Sequence, residues 1–222
     1  MIPAMFDYPP KAEFNRTVPK AKVYAYAKAN RKLRERFVNQ VAEIVWKYKL
    51  SPETVNLPAR QGIQEIQVFS IALKSGALSE EVLRAMDRAI PSPVFFELSF
   101  DGRVKSTGAY KRPAVRGAPK PPLDVYFETP WEPAGTARTP LPVALDLAGL
   151  YEQLLRILLP VSPRRGEPVE VQVERARAAR LKQRECQRLE ARLRREVQFN
   201  RKVETNAELR RHKAELAELL EP

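Results

Sequence analysis

The spacing of apolar and polar positions divides the chain into two kinds of material. Residues 1–19 show no period, and Pro3, Pro9, Pro10 and Pro19 each fix φ and remove a backbone donor. A short helix is predicted over 20–28. Asn30 is placed to cap a second helix over 31–49, where Leu33, Phe37, Val41, Ile44 and Tyr48 recur every three or four residues. Ser51-Pro52 stops it. The period then changes, and 63–73 and 94–100 read as strands. Between them Ser79 caps a helix over 80–90, with Glu80 and Glu81 in its first turn, and Pro91 and Pro93 end it. Asp101-Gly102 predicts a tight hairpin, since both residues tolerate the positive φ of a two-residue turn, and the chain returns through 103–111. A Pro/Gly-rich loop over 112–122 leads to a short strand at 123–128. Asp146 then caps a helix bearing Leu147, Leu150, Leu154, Leu155 and Leu158. Helices segregate from a small, mostly antiparallel sheet, which is the pattern of an α+β domain over 1–160.

Past a Pro/Gly linker at 161–168 the material changes. Residues 169–220 contain neither Pro nor Gly and are dominated by Ala, Leu, Glu, Arg and Lys, so 169–222 reads as a helical, coiled-coil-like basic arm. Cys186, Leu189, Leu193, Val197, Asn200, Val203 and Ala207 form a thin seam that could pair with a second copy in a homodimer. One unbroken helix is the first expectation. A helical hairpin, broken at the capping-box pattern Thr205-Asn-Ala-Glu208, is the alternative.

Charge changes this picture by adding a partner. The chain of 222 residues carries a formal net charge of +12, with 39 Lys and Arg against 27 Asp and Glu. The excess is concentrated in 11–49, 103–120 and 175–202, which points to nucleic acid first and to an acidic protein surface or an anionic membrane second. In 175–202 three acids face eleven bases, nine of them Arg, whose planar fork suits phosphate. The candidate nucleic-acid contacts are Arg31, Arg34, Arg103, Lys105, Tyr110, Lys111, Arg112, Arg188, Arg192 and Arg195, with Tyr110 placed to stack on a base. A solvated helix face and an ordinary long loop are the plainer readings of the same residues.

Catalytic chemistry finds little purchase. One Cys and one His, Cys186 and His212, leave no disulfide and no His/Cys metal site, and His212 reads as a surface residue. A metal-dependent nuclease would have to draw on Glu65, Glu97, Asp101 and Lys105, of which Glu97 and Lys105 look like cross-strand charge neighbours. No Gly-rich phosphate loop is present, no cofactor or metal is expected, and the protein reads as a non-enzyme. No apolar run reaches membrane-spanning length and the first residues lack the features of a secretory signal, so a cytoplasmic location is expected.

Several stretches together resemble a known prokaryotic family: Met5-Phe-Asp-Tyr-Pro9, Ile44-Val-Trp-Lys-Tyr-Lys-Leu-Ser-Pro-Glu-Thr54, Ala89-Ile-Pro-Ser-Pro-Val-Phe-Phe-Glu-Leu98, Tyr126-Phe-Glu-Thr-Pro-Trp131 and Phe199-Asn-Arg-Lys-Val-Glu-Thr-Asn206. The chain is similar over nearly its whole length to the domain-of-unknown-function family 4391. That resemblance implies a DNA-processing setting, because members resemble accessory proteins encoded beside helicases and methyltransferases in restriction-modification and phage-defence loci. It implies no catalytic residue. The leading expectation is therefore a non-catalytic accessory subunit that binds DNA. A protein–protein adaptor docking a helicase or methyltransferase through the arm comes second, and a nuclease third.

Overall fold

A computed structural model describes residues 5–111 and 125–222. In chain order the elements are β1 (Phe6–Asp7), β2 (Glu13–Thr17), α1 (Lys20–Tyr26), α2 (Arg31–Gln40), β3 (Val41–Leu50), α3 (Pro52–Val55), β4 (Ile66–Leu73), α4 (Glu80–Ala89), β5 (Val94–Phe100), β6 (Arg103–Ala109), β7 (Tyr126–Glu128), β8 (Glu132–Pro133), β9 (Thr139–Pro140), α5 (Leu147–Leu158), α6 (Val169–Arg195) and α7 (Phe199–Leu220). The chain forms two compact units, Met1–Leu158 and Leu159–Pro222.

The first unit is α+β. Its sheet runs β2-β3-β4-β5-β6-β7, with β8 also on β6, and all neighbours are antiparallel except β4 and β5, which α4 connects as a crossover. Caps set the helix starts: Asn30 Oδ1 accepts from Leu33 N–H at 2.9 Å, Ser79 Oγ from Glu81 N–H, and Asp146 Oδ1 from Gly149 N–H at 2.8 Å. Phe37 of α2 and Val82, Leu83 and Met86 of α4 close over Ile44, Phe69, Ile71, Phe96 and Leu98 on one sheet face. On the other face Tyr151 of α5 meets Phe95 edge-on, and a Cβ at Gly108 would lie 2.9 Å from the Phe95 ring and 3.2 Å from Leu158. Only glycine lets α5 approach β6 this closely. Asp101 and Gly102 both have positive φ, +47° and +68°, as the hairpin turn requires.

One predicted helix is half strand. The helix expected over 31–49 ends at Gln40, and Val41–Leu50 is β3. Its β-branched and aromatic residues suit a strand, and two bulges explain the misleading period. The register against β4 slips between Val41 and Glu43 and again between Trp46 and Tyr48. Each slip inserts a residue and moves later side chains to the other face. Ile44 therefore packs with Phe37, while Tyr48 lies against Tyr8, 4.3 Å between ring centroids, across the sheet.

The second unit is a helical hairpin, which replaces the expected single helix. The break falls at Glu196–Gln198 rather than at Thr205, which is buried inside α7. Glu196 makes the turn itself: its Oε1 accepts from Val197 and Gln198 N–H, both at 3.0 Å. Cys186 and Leu189 of α6 pack on Leu209 of α7, flanked by Leu193 and Leu216, so the first part of the predicted seam is covered within one chain, while Val197, Asn200, Val203 and Ala207 are exposed. Lys182 reaches Glu215 at 2.8 Å and Lys213 reaches Glu190 at 2.7 Å. His212 is no simple surface residue. It packs between the helices with Nδ1 3.0 Å from Lys182 Nζ and near Glu185, Glu208 and Glu215.

The stretch expected as a linker belongs to this hairpin. Gln172 donates to Val161 O, and Arg175 grips Glu167 with both prongs at 2.9 and 2.8 Å while donating to Ser162 O and to Leu219 O at the end of α7. Arg175 and Glu167 are each nearly buried, and hydrogen bonding to Arg175 holds the Glu167 carboxyl down at about 2. A depressed carboxyl stabilises above its unfolded value and loses that contribution as pH falls through the folded one. Arg175→Ala should therefore raise amide exchange over 216–221 at neutral pH. The wild-type hairpin should loosen only as pH drops from the ordinary carboxyl range toward about 2. Unchanged exchange in the variant would contradict this.

Candidate nucleic-acid interface

Each predicted contact except Arg112 has a definite place, and the structure sorts them. Lys111 is not a surface cation. Its ammonium is bound by Asp87 Oδ1 and by the carbonyls of Asp87, Ile90 and Ser92 at 2.7, 2.6 and 3.0 Å, so it caps the C-terminal end of α4. Tyr126 donates to the other Asp87 oxygen at 3.0 Å. Burial still raises the Asp87 carboxyl above its ordinary value, with Lys111 opposing the shift. Tyr110 is half-buried and lies parallel to the Tyr151 ring, 6.4 Å between centroids. Lys105 bonds Glu128 at 2.6 Å and lies 4.9 Å over Trp131. These three residues of the predicted loop surface serve the fold. Arg103 is exposed beside the hairpin turn, and Arg112 lies outside the described residues.

The nuclease constellation does not assemble either. Glu97 pairs in register with Ser106, and Lys105 with Leu98, so Glu97 and Lys105 point to opposite faces of the sheet. They are not cross-strand charge neighbours. Glu97 is 4% exposed and is held by Arg138 through two bonds of 3.2 and 3.3 Å, with Lys47 at 3.6 Å. Glu65 is held by Lys49, Gln67 and Ser92, and Asp101 sits in its turn. Among the described residues no group of three or more His, Cys, Asp and Glu is arranged to hold a metal.

Two sets of arginines do come together. On α2, Arg31 pairs with Glu35 at 2.9 Å, and Arg34 donates to Ala29 O with its guanidinium 5.6 Å over Tyr24; both line a shallow concavity of about 490 Å³. One acid is already engaged there. On α6, Arg188, Arg192 and Arg195 stand at i, i+4 and i+7, which is one helix face. They are exposed and surround a concavity of about 390 Å³ together with Ala191 and Glu196. None of the three forms an ion pair with a described residue, whereas Arg177 and Lys182 nearer the helix start do. Arg192 and Arg195 also lie in the last turn of α6, where the helix dipole favours positive charge. Just past them, at the hairpin tip, Val197 is 87% exposed and Phe199 77% exposed. Neither stands out in the sequence, where both fall on the expected seam or beside it.

The fold and these surfaces define a two-unit protein: an α+β sheet domain and an arginine-faced helical hairpin. The chain belongs to the family described as "Domain of unknown function (DUF4391)", whose profile matches residues 6–216. No curated protein and no solved structure matches it. No helix among the described residues is long and apolar enough to cross a membrane.

Proposed function

We propose that the protein is a non-catalytic accessory subunit of a DNA-processing complex and that it binds duplex phosphates through Arg188, Arg192 and Arg195. The observation that carries this reading is the trio itself: three exposed guanidinia on one helix face, with no carboxylate of a described residue in ion-pair reach. Arginines that form no ion pair with a described residue, gathered over a concavity in which Glu196 is the one carboxylate among the lining residues, match a phosphate backbone in charge and in fork geometry. A restriction-modification or phage-defence setting, with a helicase or methyltransferase as partner, extends this proposal on the strength of the family resemblance. Fluorescence anisotropy of a labelled duplex, with the full chain and its Arg188→Glu/Arg192→Glu/Arg195→Glu variant, tests it. The wild type should bind at low salt and the variant should not.

The adaptor reading keeps one observation of its own. Val197 and Phe199 expose apolar surface at the hairpin tip, of the kind that anchors protein interfaces. Duplex affinity that is unchanged on reversing the three arginines would assign the hairpin to a protein partner instead.

Catalysis is tested separately. Because Glu97 is saturated by Arg138 and Lys47 and faces away from Lys105, purified protein should leave single- and double-stranded DNA intact with Mg²⁺ or Mn²⁺. Cleavage abolished by Glu97→Ala would overturn the non-enzyme reading.

A further inference from the structure

A cleft of about 390 Å³ opens in the first unit beside the edge strand β2, between it, the start of α1 and the C-terminal end of α4. That volume falls within the range of small-ligand sites. Its walls are aromatic: Phe14 and Trp46 meet at 4.2 Å between centroids, Trp46 and Phe69 lie nearly parallel at 5.8 Å, and Tyr26 is 76% exposed at the margin. Its charge is of one sign. Arg16, whose guanidinium lies 4.4 Å over the Phe14 ring, and Lys22 line it, and among the described residues no acidic side chain does. At the sheet, Gln67 is buried and directs its amide N–H to Glu65 at 2.6 Å, while no donor among the described residues reaches its Oε1. A flat body, a negative charge and a hydrogen-bond donor on one edge are what these groups would complement.

We infer that this cleft is a nucleotide site, taking a base against the Tyr26 ring and the Phe14–Trp46 wall and its phosphate at Arg16 and Lys22. Base stacking on aromatic side chains tolerates any base, and guanidinium and ammonium groups supply the phosphate contact. Gln67 Oε1 accepts from an exocyclic amine or ring N–H. The site lies within the first unit and does not rest on the arginine face of the hairpin.

The chain has two tryptophans, so a Trp131→Phe background leaves Trp46 as the reporter. Full-length protein in that background is titrated with AMP, GMP, CMP and UMP, and with adenosine, inorganic phosphate and a pentanucleotide as further arms. Nucleoside monophosphates should give a saturable fluorescence change that Arg16→Glu/Lys22→Glu weakens by about tenfold or more. Reversal of Arg188, Arg192 and Arg195 should leave the mononucleotide response unchanged, which separates this site from the hairpin. A mononucleotide binding as tightly as the pentanucleotide assigns the site to free nucleotide. A much tighter pentanucleotide, with the same Arg16 and Lys22 dependence, assigns it to an unpaired base of a strand. The inference is overturned if no nucleotide gives a saturable change in protein shown to be folded by circular dichroism. It is equally overturned if the response survives Arg16→Glu/Lys22→Glu, or if inorganic phosphate reproduces the AMP response.

Discussion

Replacing Lys111 with Met should destabilise the first unit by about 3–5 kcal/mol, the cost of leaving one partner of a buried ion pair alone. Asp87 is 1% exposed and Lys111 14%, so neither charge can turn to water as a substitute. The substitution also strips the cap from the Asp87, Ile90 and Ser92 carbonyls. Its pH dependence has a definite sign. Burial already raises the Asp87 carboxyl above its ordinary value, and Lys111 is the chief force holding it down. In the variant the folded-state value rises further. A carboxyl raised on folding destabilises above that value, and the penalty fades as pH falls through it toward the unfolded one. The deficit of the variant should thus be greatest at neutral pH and shrink on acidification, as Asp87 takes up a proton. Urea unfolding of both proteins at neutral and mildly acidic pH measures it, and equal deficits at the two pH values would refute the assignment. Duplex affinity of the folded variant should match the wild type, since Lys111 faces α4 rather than solvent.

What the sequence discloses depends on how local each signal is. Ser79, the Asp101-Gly102 turn and Asp146 act within a few residues, and their elements stand where the pattern puts them. The same holds for Arg188, Arg192 and Arg195, whose shared face requires only that the segment be helical. The strand β3 is hidden because two bulges make its buried positions imitate a helical period, and a bulge is fixed by the neighbouring strand rather than by its own residues. The hairpin break at Glu196–Gln198 lacks the Gly or Pro that would advertise it, since a carboxylate folding back on two amides forms the turn instead. Lys111 and Arg175 count as positive charge in any tally. Only the fold shows that the carbonyl ends of α4 and α7 engage them. The aromatic cleft draws its walls from β2, α1, β3, β4 and α4, so no single stretch of sequence could have announced it.

Duplex binding by the full chain should weaken steeply with salt, and the three arginines should carry much of that slope. Each phosphate neutralised by a guanidinium releases counterions, so for about six contacts a rise from about 50 to about 200 mM salt should cost roughly three orders of magnitude in affinity. Arg188→Glu/Arg192→Glu/Arg195→Glu removes three of those guanidinia and places carboxylates where the phosphates would sit. The plot of log affinity against log salt should therefore flatten by roughly 2.7 units, about 0.9 for each phosphate left unneutralised. The weakening should be the same on duplexes of unrelated sequence, because phosphate contacts position a protein without reading bases. Arg177→Glu serves as the matched control on the same helix. Its guanidinium is already paired with Glu174 at 2.8 Å and lies away from the concavity, so reversing it alters net charge without removing a member of the trio. If Arg177→Glu flattens the salt slope as much per residue as the triple variant does, binding follows net charge alone and the arginine face is not the interface. A slope that responds to Arg188, Arg192 and Arg195 but not to Arg177 places the phosphate backbone along the last two turns of α6, beside the exposed Val197 and Phe199.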